Sequence, residues 1–195
     1  MTISVALYLP NFAAGGAERL NINLGAELTR RGFDVVFVVH KREGALLPVL
    51  PDGIRVVSLD AGRTLGAFWP LVKYLRCERP NILLSSLGHN NIIAIWARLL
   101  ARVKTRIIVS QHNSLEYESK TDAWKGRVLP LLYQLSLPFA DGIVAVSGGV
   151  ANELAAMTGT ARSRITVIYN AVVGDDFPQR LSEQVAHPWL NDNDA

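Results

Sequence analysis

The chain has 195 residues, 49% hydrophobic and 19% charged, with a formal net charge of +3. That much apolar material builds a core and excludes an intrinsically disordered chain; a mild positive charge without dense Lys/Arg runs excludes a nucleic-acid-binding arm and suits anionic small molecules or an anionic membrane surface. One cysteine, Cys77, leaves no internal disulfide and makes a reducing cytoplasm the default compartment.

The N-terminus MTISVALYLP lacks a basic leader region and a small-residue cleavage site, so it reads as a first strand. That strand spans Ile3 to Leu9 and stops at Pro10. Gly15-Gly16 precede a helix over Ala17 to Arg31, with Leu20, Leu24 and Leu28 on one face and Gly32 beyond its end. Asp34 to His40 is a continuous β-branched and aromatic run, and Ile54 to Leu59 is a third strand. Then helices and strands alternate: helix Leu65 to Glu78, strand Asn81 to Ser86, helix Asn90 to Val103, strand Arg106 to Gln111. Helix Ala123 to Pro138, strand Gly142 to Val146, helix Gly149 to Thr158 and strand Ile165 to Tyr169 complete the series. No apolar run reaches the ~18 residues of a membrane span.

Continuous apolar runs suit parallel strands buried on both faces, and the alternation with helices predicts an α/β fold: a Rossmann-like parallel sheet flanked by helices on both faces. Residues 1–175 form that domain. The stretch 176–195 reads as a linker.

In open α/β sheets ligands sit beyond the carboxyl ends of the strands. Three of the four histidines, His40, His89 and His112, fall at such ends, two of them followed by asparagine (Asn90, Asn113). If the first and fourth strands are neighbours, as in the common 3-2-1-4-5 order, Gly15-Gly16 and His89 share one crevice, with His112 one strand further along. Each feature has two readings. Gly-Gly is a turn and close-packing device, or a place where backbone N–H groups and the helix dipole meet a phosphate. A histidine is a structural hydrogen bonder or a reactive group. Ser147 caps the next helix or acts as a nucleophile, and the absence of G-x-S-x-G favours the cap. The dinucleotide fingerprint is absent, which disfavours an oxidoreductase, and no His-x-x-x-His spacing supports a metal.

Four segments, GGAERLNINLGAELTRRGFDV (15–35), SQHNS (110–114), ADGIVAVSGGV (140–150) and ITVIYNAVV (165–173), together carry a resemblance. The chain resembles the N-terminal half of retaining GT-B-fold glycosyltransferases of family 4. The resemblance implies the acceptor-side half of a two-domain enzyme. Such an enzyme moves a sugar from a UDP- or GDP-linked donor to a hydroxyl of a glycan or lipid-linked acceptor, without metal or other cofactor. It implies His112 near the reacting centre. Gly15 and Gly16 would lie against the donor diphosphate or the acceptor, His89 and Asn90 on the acceptor side, and Asn113, Ser147 and Asn170 in support of the cleft. Two departures stand out: Asn170 is followed by Ala171 where relatives carry glycine, and Ala195 comes before any nucleotide-sugar-binding domain. These 195 residues are therefore expected not to transfer sugar by themselves. The alternatives are a non-catalytic sugar-phosphate or nucleotide-binding module, and another GT-B enzyme such as a nucleotide-sugar epimerase. RTLGAFWPLVKYLR (63–76) and WKGRVLPLLYQL (124–135) mix cations with apolar side chains. They read as core-packing helices with a solvated edge, or as peripheral docking on anionic lipid at the inner face of the membrane.

Overall fold

The computed structural model describes residues 2–114 and 123–171, with side chains in the helix that begins at Ala123 given from residue 128 onward. The expected linker 176–195 lies outside the described residues. Seven strands form one sheet: β1 (Ser4–Leu9), β2 (Asp34–Val39), β3 (Arg55–Ser58), β4 (Ile82–Ser86), β5 (Arg106–Gln111), β6 (Gly142–Ala145) and β7 (Ile165–Val167). Their order is β3-β2-β1-β4-β5-β6-β7, and every pairing is parallel. The expected neighbouring of the first and fourth strands is present, with Ala6 opposite Leu83 on one side and Val36 on the other.

Among the described residues five α-helices make the crossovers: α1 (Gly16–Arg30), α2 (Phe68–Glu78), α3 (Gly88–Ala101), α4 (Ala123–Ser136) and α5 (Gly148–Thr158). Strand alternation divides the core in two. Val5, Leu7, Leu9, Val35, Phe37 and Val39 face one way and pack with Phe12 and with Ile22 of α1. Ala6, Tyr8, Val36, Val38, Leu83, Ile107 and Ile143 face the other way. They meet Leu71 and Leu75 of α2, Ile95 of α3, Tyr133 of α4 and Leu154 of α5. Among the described residues the layers are therefore unequal, with one α-helix on the first face and four on the second.

The stripe Leu20, Leu24, Leu28 is only partly the face that α1 buries: Leu28 packs against the core, and Leu20 is half-buried. The helix's buried residues are Asn21, Ile22 and Gly25, and Leu24 is exposed. The reason is Gly25: a Cβ there would stand 2.8 Å from Cζ of Phe37, so the bare backbone lets the helix sit directly on that ring. Helix ends also differ from what composition suggests. α2, α3 and α5 all stop on a left-handed residue, the usual place for glycine. Only α5 uses one, Gly159, while α2 ends on Arg79 (φ 47°) and α3 on Arg102 (φ 55°). The expected fourth crossover helix stops at Ser136, where a 3-10 turn, Leu137–Phe139, takes over, and β7 ends two residues early at Val167.

Candidate active site at the carboxyl edge of the sheet

The carboxyl ends of β1, β4 and β5 are adjacent, so the segments that follow them share one edge. Gly15 caps α1 in extended backbone and Gly16 is its first residue. Neither has a positive φ, so no turn requires them to be glycine. A side chain on Gly16 would point into open space, whereas a Cβ on Gly15 would collide with the carboxylate of Glu18. The Glu18 carboxylate folds back over Gly15 in the first turn, where the helix dipole favours negative charge, and as the end of a flexible side chain it is free to swing away.

The β4–α3 junction is the strained part of this edge. Leu87 adopts φ 77° and ψ 131°, a conformation that costs a branched side chain about 1–3 kcal/mol and is usually maintained at functional sites. It sets Gly88 as the first residue of α3 and places His89 exposed and Asn90 fully buried in the first turn. Asn21 of α1 binds this junction: its Oδ1 accepts from the Ser86 hydroxyl at 3.1 Å, while its Nδ2 donates to the Ala17 carbonyl.

Asn91 Nδ2 donates to the Ser110 carbonyl at 3.1 Å, and the Ser110 hydroxyl lies 3.1 Å from Nε2 of His112. This short relay joins the start of α3 to the end of β5. Gln111 Nε2 donates to the Asn113 carbonyl, and Tyr133 OH donates to Gln111 Oε1, so the loop bearing His112 is held from behind by α4. Burial holds the His112 imidazole below its ordinary pKa, which leaves it neutral near pH 7 and able to act as a base.

The edge also contains polar atoms with no partner among the described residues. Both side-chain ends of Asn90, Oδ1 of Asn91, Oγ of Ser85 and Nδ1 of His112 are buried without a hydrogen bond. Buried polar groups are almost always paired, so a cluster of orphans at one strand edge indicates a place where a hydroxyl-rich ligand or ordered water completes the bonding. Across β1, the Tyr8 hydroxyl sits 2.7 Å from Nε2 of His40, and burial, reinforced by nearby His89, pulls His40 down to about 4. Beside them lies a cleft of about 200 Å³ bordered by Asn11, His40, Lys41, Arg63 and Thr64. A larger concavity of about 650 Å³ lies at the opposite, amino edge of the sheet, away from these residues.

The sequence-derived residues thus divide. Gly15, Gly16, His89, Asn90 and His112 share one edge, with the ends of β1 and β5 two strand spacings, about 10 Å, apart. Ser147 is the N-cap of α5, its hydroxyl accepting from the Val150 amide at 3.2 Å. Asn113 contributes its carbonyl and is exposed. Asn170 is exposed beyond β7, two strands from His112. Residue-type reasoning did not single out Asn21, Asn91, Leu87 or the Tyr8–His40 pair. Asn21 and Asn91 had one signal, asparagine inside otherwise apolar helical runs, NINL and HNNIIAI, and His40 had its place at a strand end, without Tyr8 as its partner. Among the described residues, no group of three or more His, Cys, Asp or Glu is arranged to hold a metal, and no helix is long and apolar enough to cross a membrane.

A search of curated proteins gives no match. Solved structures show the same fold. The lipopolysaccharide outer core galactosyltransferase WaaB, in its apo form, aligns at 17% identity and TM-score 0.63, over 87% of this chain and 46% of its own. HepE from Anabaena, solved with UDP-glucose, aligns at 16% identity and TM-score 0.64, over 86% and 44%. MurG from Acinetobacter baumannii aligns at 13% identity and TM-score 0.59, over 89% and 46%. The chain therefore spans less than half the length of these structures, whose likeness shows the N-terminal domain of the GT-B fold. The sequence model of glycosyltransferase family 4 matches residues 14–174, the greater part of the chain, and the chain belongs to that family.

Proposed function

We propose that the chain is the acceptor-side half of a glycosyltransferase that moves a sugar from a nucleotide-sugar donor to a hydroxyl, with retention of configuration and without a metal. The observation that carries this reading is the set of unpartnered buried polar atoms on Ser85, Asn90, Asn91 and His112 at the carboxyl edge. Sugars and their acceptors are dense in hydroxyls that both donate and accept, which is the complement such groups lack. Neutral His112 suits a base or hydrogen-bond acceptor at the reacting hydroxyl. Backbone N–H groups at the start of α1 suit the charge that develops on a diphosphate leaving group, once Glu18 moves aside. HepE was solved with UDP-glucose and with UDP and glucose, which supports a UDP-linked donor.

The lip of the cleft suits a lipid-linked acceptor. Leu65 and Trp69 are 80% and 67% exposed and follow Arg63 and Thr64 of the cleft border. An apolar side chain and an indole beside a cation fit an anionic membrane interface. The test is transfer by the full gene product, with UDP- and GDP-sugars and a polyprenyl-phosphate-linked acceptor, the product anomer being read by NMR. Retained configuration and loss of transfer in His112→Ala are expected, with no turnover from residues 1–195 alone. An inverted product, or an unaffected His112→Ala, would overturn the mechanism. Tight sugar-phosphate binding without transfer by the full product would show a non-catalytic module instead.

A further inference from the structure

We infer that the amino edge of the sheet holds a second binding site, for a phosphate-bearing anion, on the opposite side of the domain from the proposed sugar cleft and independent of that proposal. Three observations converge there. The first is a concavity of about 650 Å³, a size typical of small-molecule sites. Five cations line it, Arg76, Arg79, Arg102, Lys104 and Arg106, and no acid does.

The second is the backbone that delivers two of them. Arg79 and Arg102 are the left-handed residues ending α2 and α3, where glycine is the usual choice. Two helices thus end in a disfavoured conformation, and both place arginine on one cavity.

The third is Thr105, 4% exposed and part of the cavity wall, whose buried hydroxyl has no hydrogen-bond partner among the described residues. Such a hydroxyl can donate to a phosphate oxygen.

A simpler role as helix-end cations accounts for part of the cluster. Arg76 donates to the Leu100 carbonyl and Arg79 to the Arg76 carbonyl. It leaves out Lys104 and Arg106, which lie beyond the end of α3. Arg102, Lys104 and Arg106 lie within five residues of one another and are exposed. Asp141, whose carboxylate feels the charge of Arg106, already accepts from the Ile107 amide and from Arg98. Like charges this close repel, and a doubly charged anion removes that repulsion while its oxygens take several donors at once. Phosphate chemistry fits better than a carboxylate because three or more oxygens match donors arriving from two helix ends and a strand start.

The test is an NMR titration of the 195-residue chain with inorganic pyrophosphate, following backbone amides. Saturable shifts at residues 102–106 are expected. Affinity should fall at least tenfold in Lys104→Gln/Arg106→Gln, weaken about twofold or more in Thr105→Val, and stay unchanged in His112→Ala at the opposite edge. Arg102→Gln provides a second reading should the double variant fold poorly. Phosphatidylglycerol vesicles, with phosphatidylcholine as control, distinguish the source. Co-sedimentation displaced by pyrophosphate and lost in the same variants assigns a lipid headgroup. Pyrophosphate binding without vesicle binding assigns a soluble phosphate. Absence of saturable shifts at 102–106, or binding that the amino-edge variants leave intact, overturns the site.

Discussion

The two edges of this sheet, each proposed to bind a ligand, carry opposite kinds of polar group. At the carboxyl edge the polar groups are neutral and withdrawn from solvent: buried Ser85, Asn90 and Asn91 and a half-buried, deprotonated His112, with several atoms left unpaired. At the amino edge they are cationic and exposed, and the disfavoured element is backbone, in left-handed Arg79 and Arg102. Desolvated neutral groups read direction and shape, because each bond missed leaves a buried atom unsatisfied. Exposed cations act at longer range, are screened by salt, and read charge more than shape. Both edges give up local stability, as expected where residues are kept for something other than folding.

Four measurements would break or sharpen that contrast. The largest effect belongs to His40. Its folded value of about 4 lies below the ordinary 6.5, so between those values the unfolded chain binds more protons. Stability is therefore complete above pH 6.5 and lost as pH falls toward 4, by up to about 3 kcal/mol. Urea midpoints from pH 7 to 4.5 should fall more steeply for the native chain than for His40→Gln; equal slopes would show that His40 is not buried neutral. Next comes His112→Ala in the full gene product, expected to cut transfer about a hundredfold, or about 2.7 kcal/mol, while leaving the thermal midpoint within a few degrees. Loss of folding instead would assign His112 to structure.

Third is Asn90→Leu. If both ends of that amide are orphaned, an apolar side chain of similar size should stabilise the chain by about 1 kcal/mol while abolishing acceptor binding. Destabilisation would mean that ordered water or protein already satisfies the amide. The smallest effect is at the other edge: Arg102→Gly should raise stability by about 0.5–1 kcal/mol by relieving a left-handed arginine. No gain, measured by chemical denaturation, would show that the arginine makes contacts offsetting its strain.

The fold was legible because its signals are repeated. Runs such as Val35–Val39 and Ile107–Val109 can only be strands buried on both faces, and helical stretches separate them. The expected neighbouring of β1 and β4 rested on the common 3-2-1-4-5 order of doubly wound sheets, which this sheet follows. The packing face of α1 was only partly legible from leucine spacing, because a glycine helps define it: Gly25 contributes no apolar signal yet permits the closest approach to Phe37. The site was half legible. His89, Asn90 and His112 were readable from their place after strands. Asn21 and Asn91 were not, because a helical asparagine shows nothing of its tertiary partners, here Ser86 and the Ser110 carbonyl. Leu87 could not be read at all, since its strain lies in φ and ψ, which a leucine in sequence does not disclose.

Strand order also sets a timetable. β1 lies in the interior of the sheet, between β2 and β4, and its Val5 pairs with Ile82, 77 residues later. At 5–20 residues per second, the second partner emerges roughly 4–15 s after the first strand has been made. Throughout that interval SVALYL has one edge unmatched, although all but its first residue end fully buried. Long-range parallel pairing of this kind is slow and exposed to aggregation. Substitutions in β1 should therefore reduce the soluble yield of newly made chain more than they lower the melting temperature of chain that has folded.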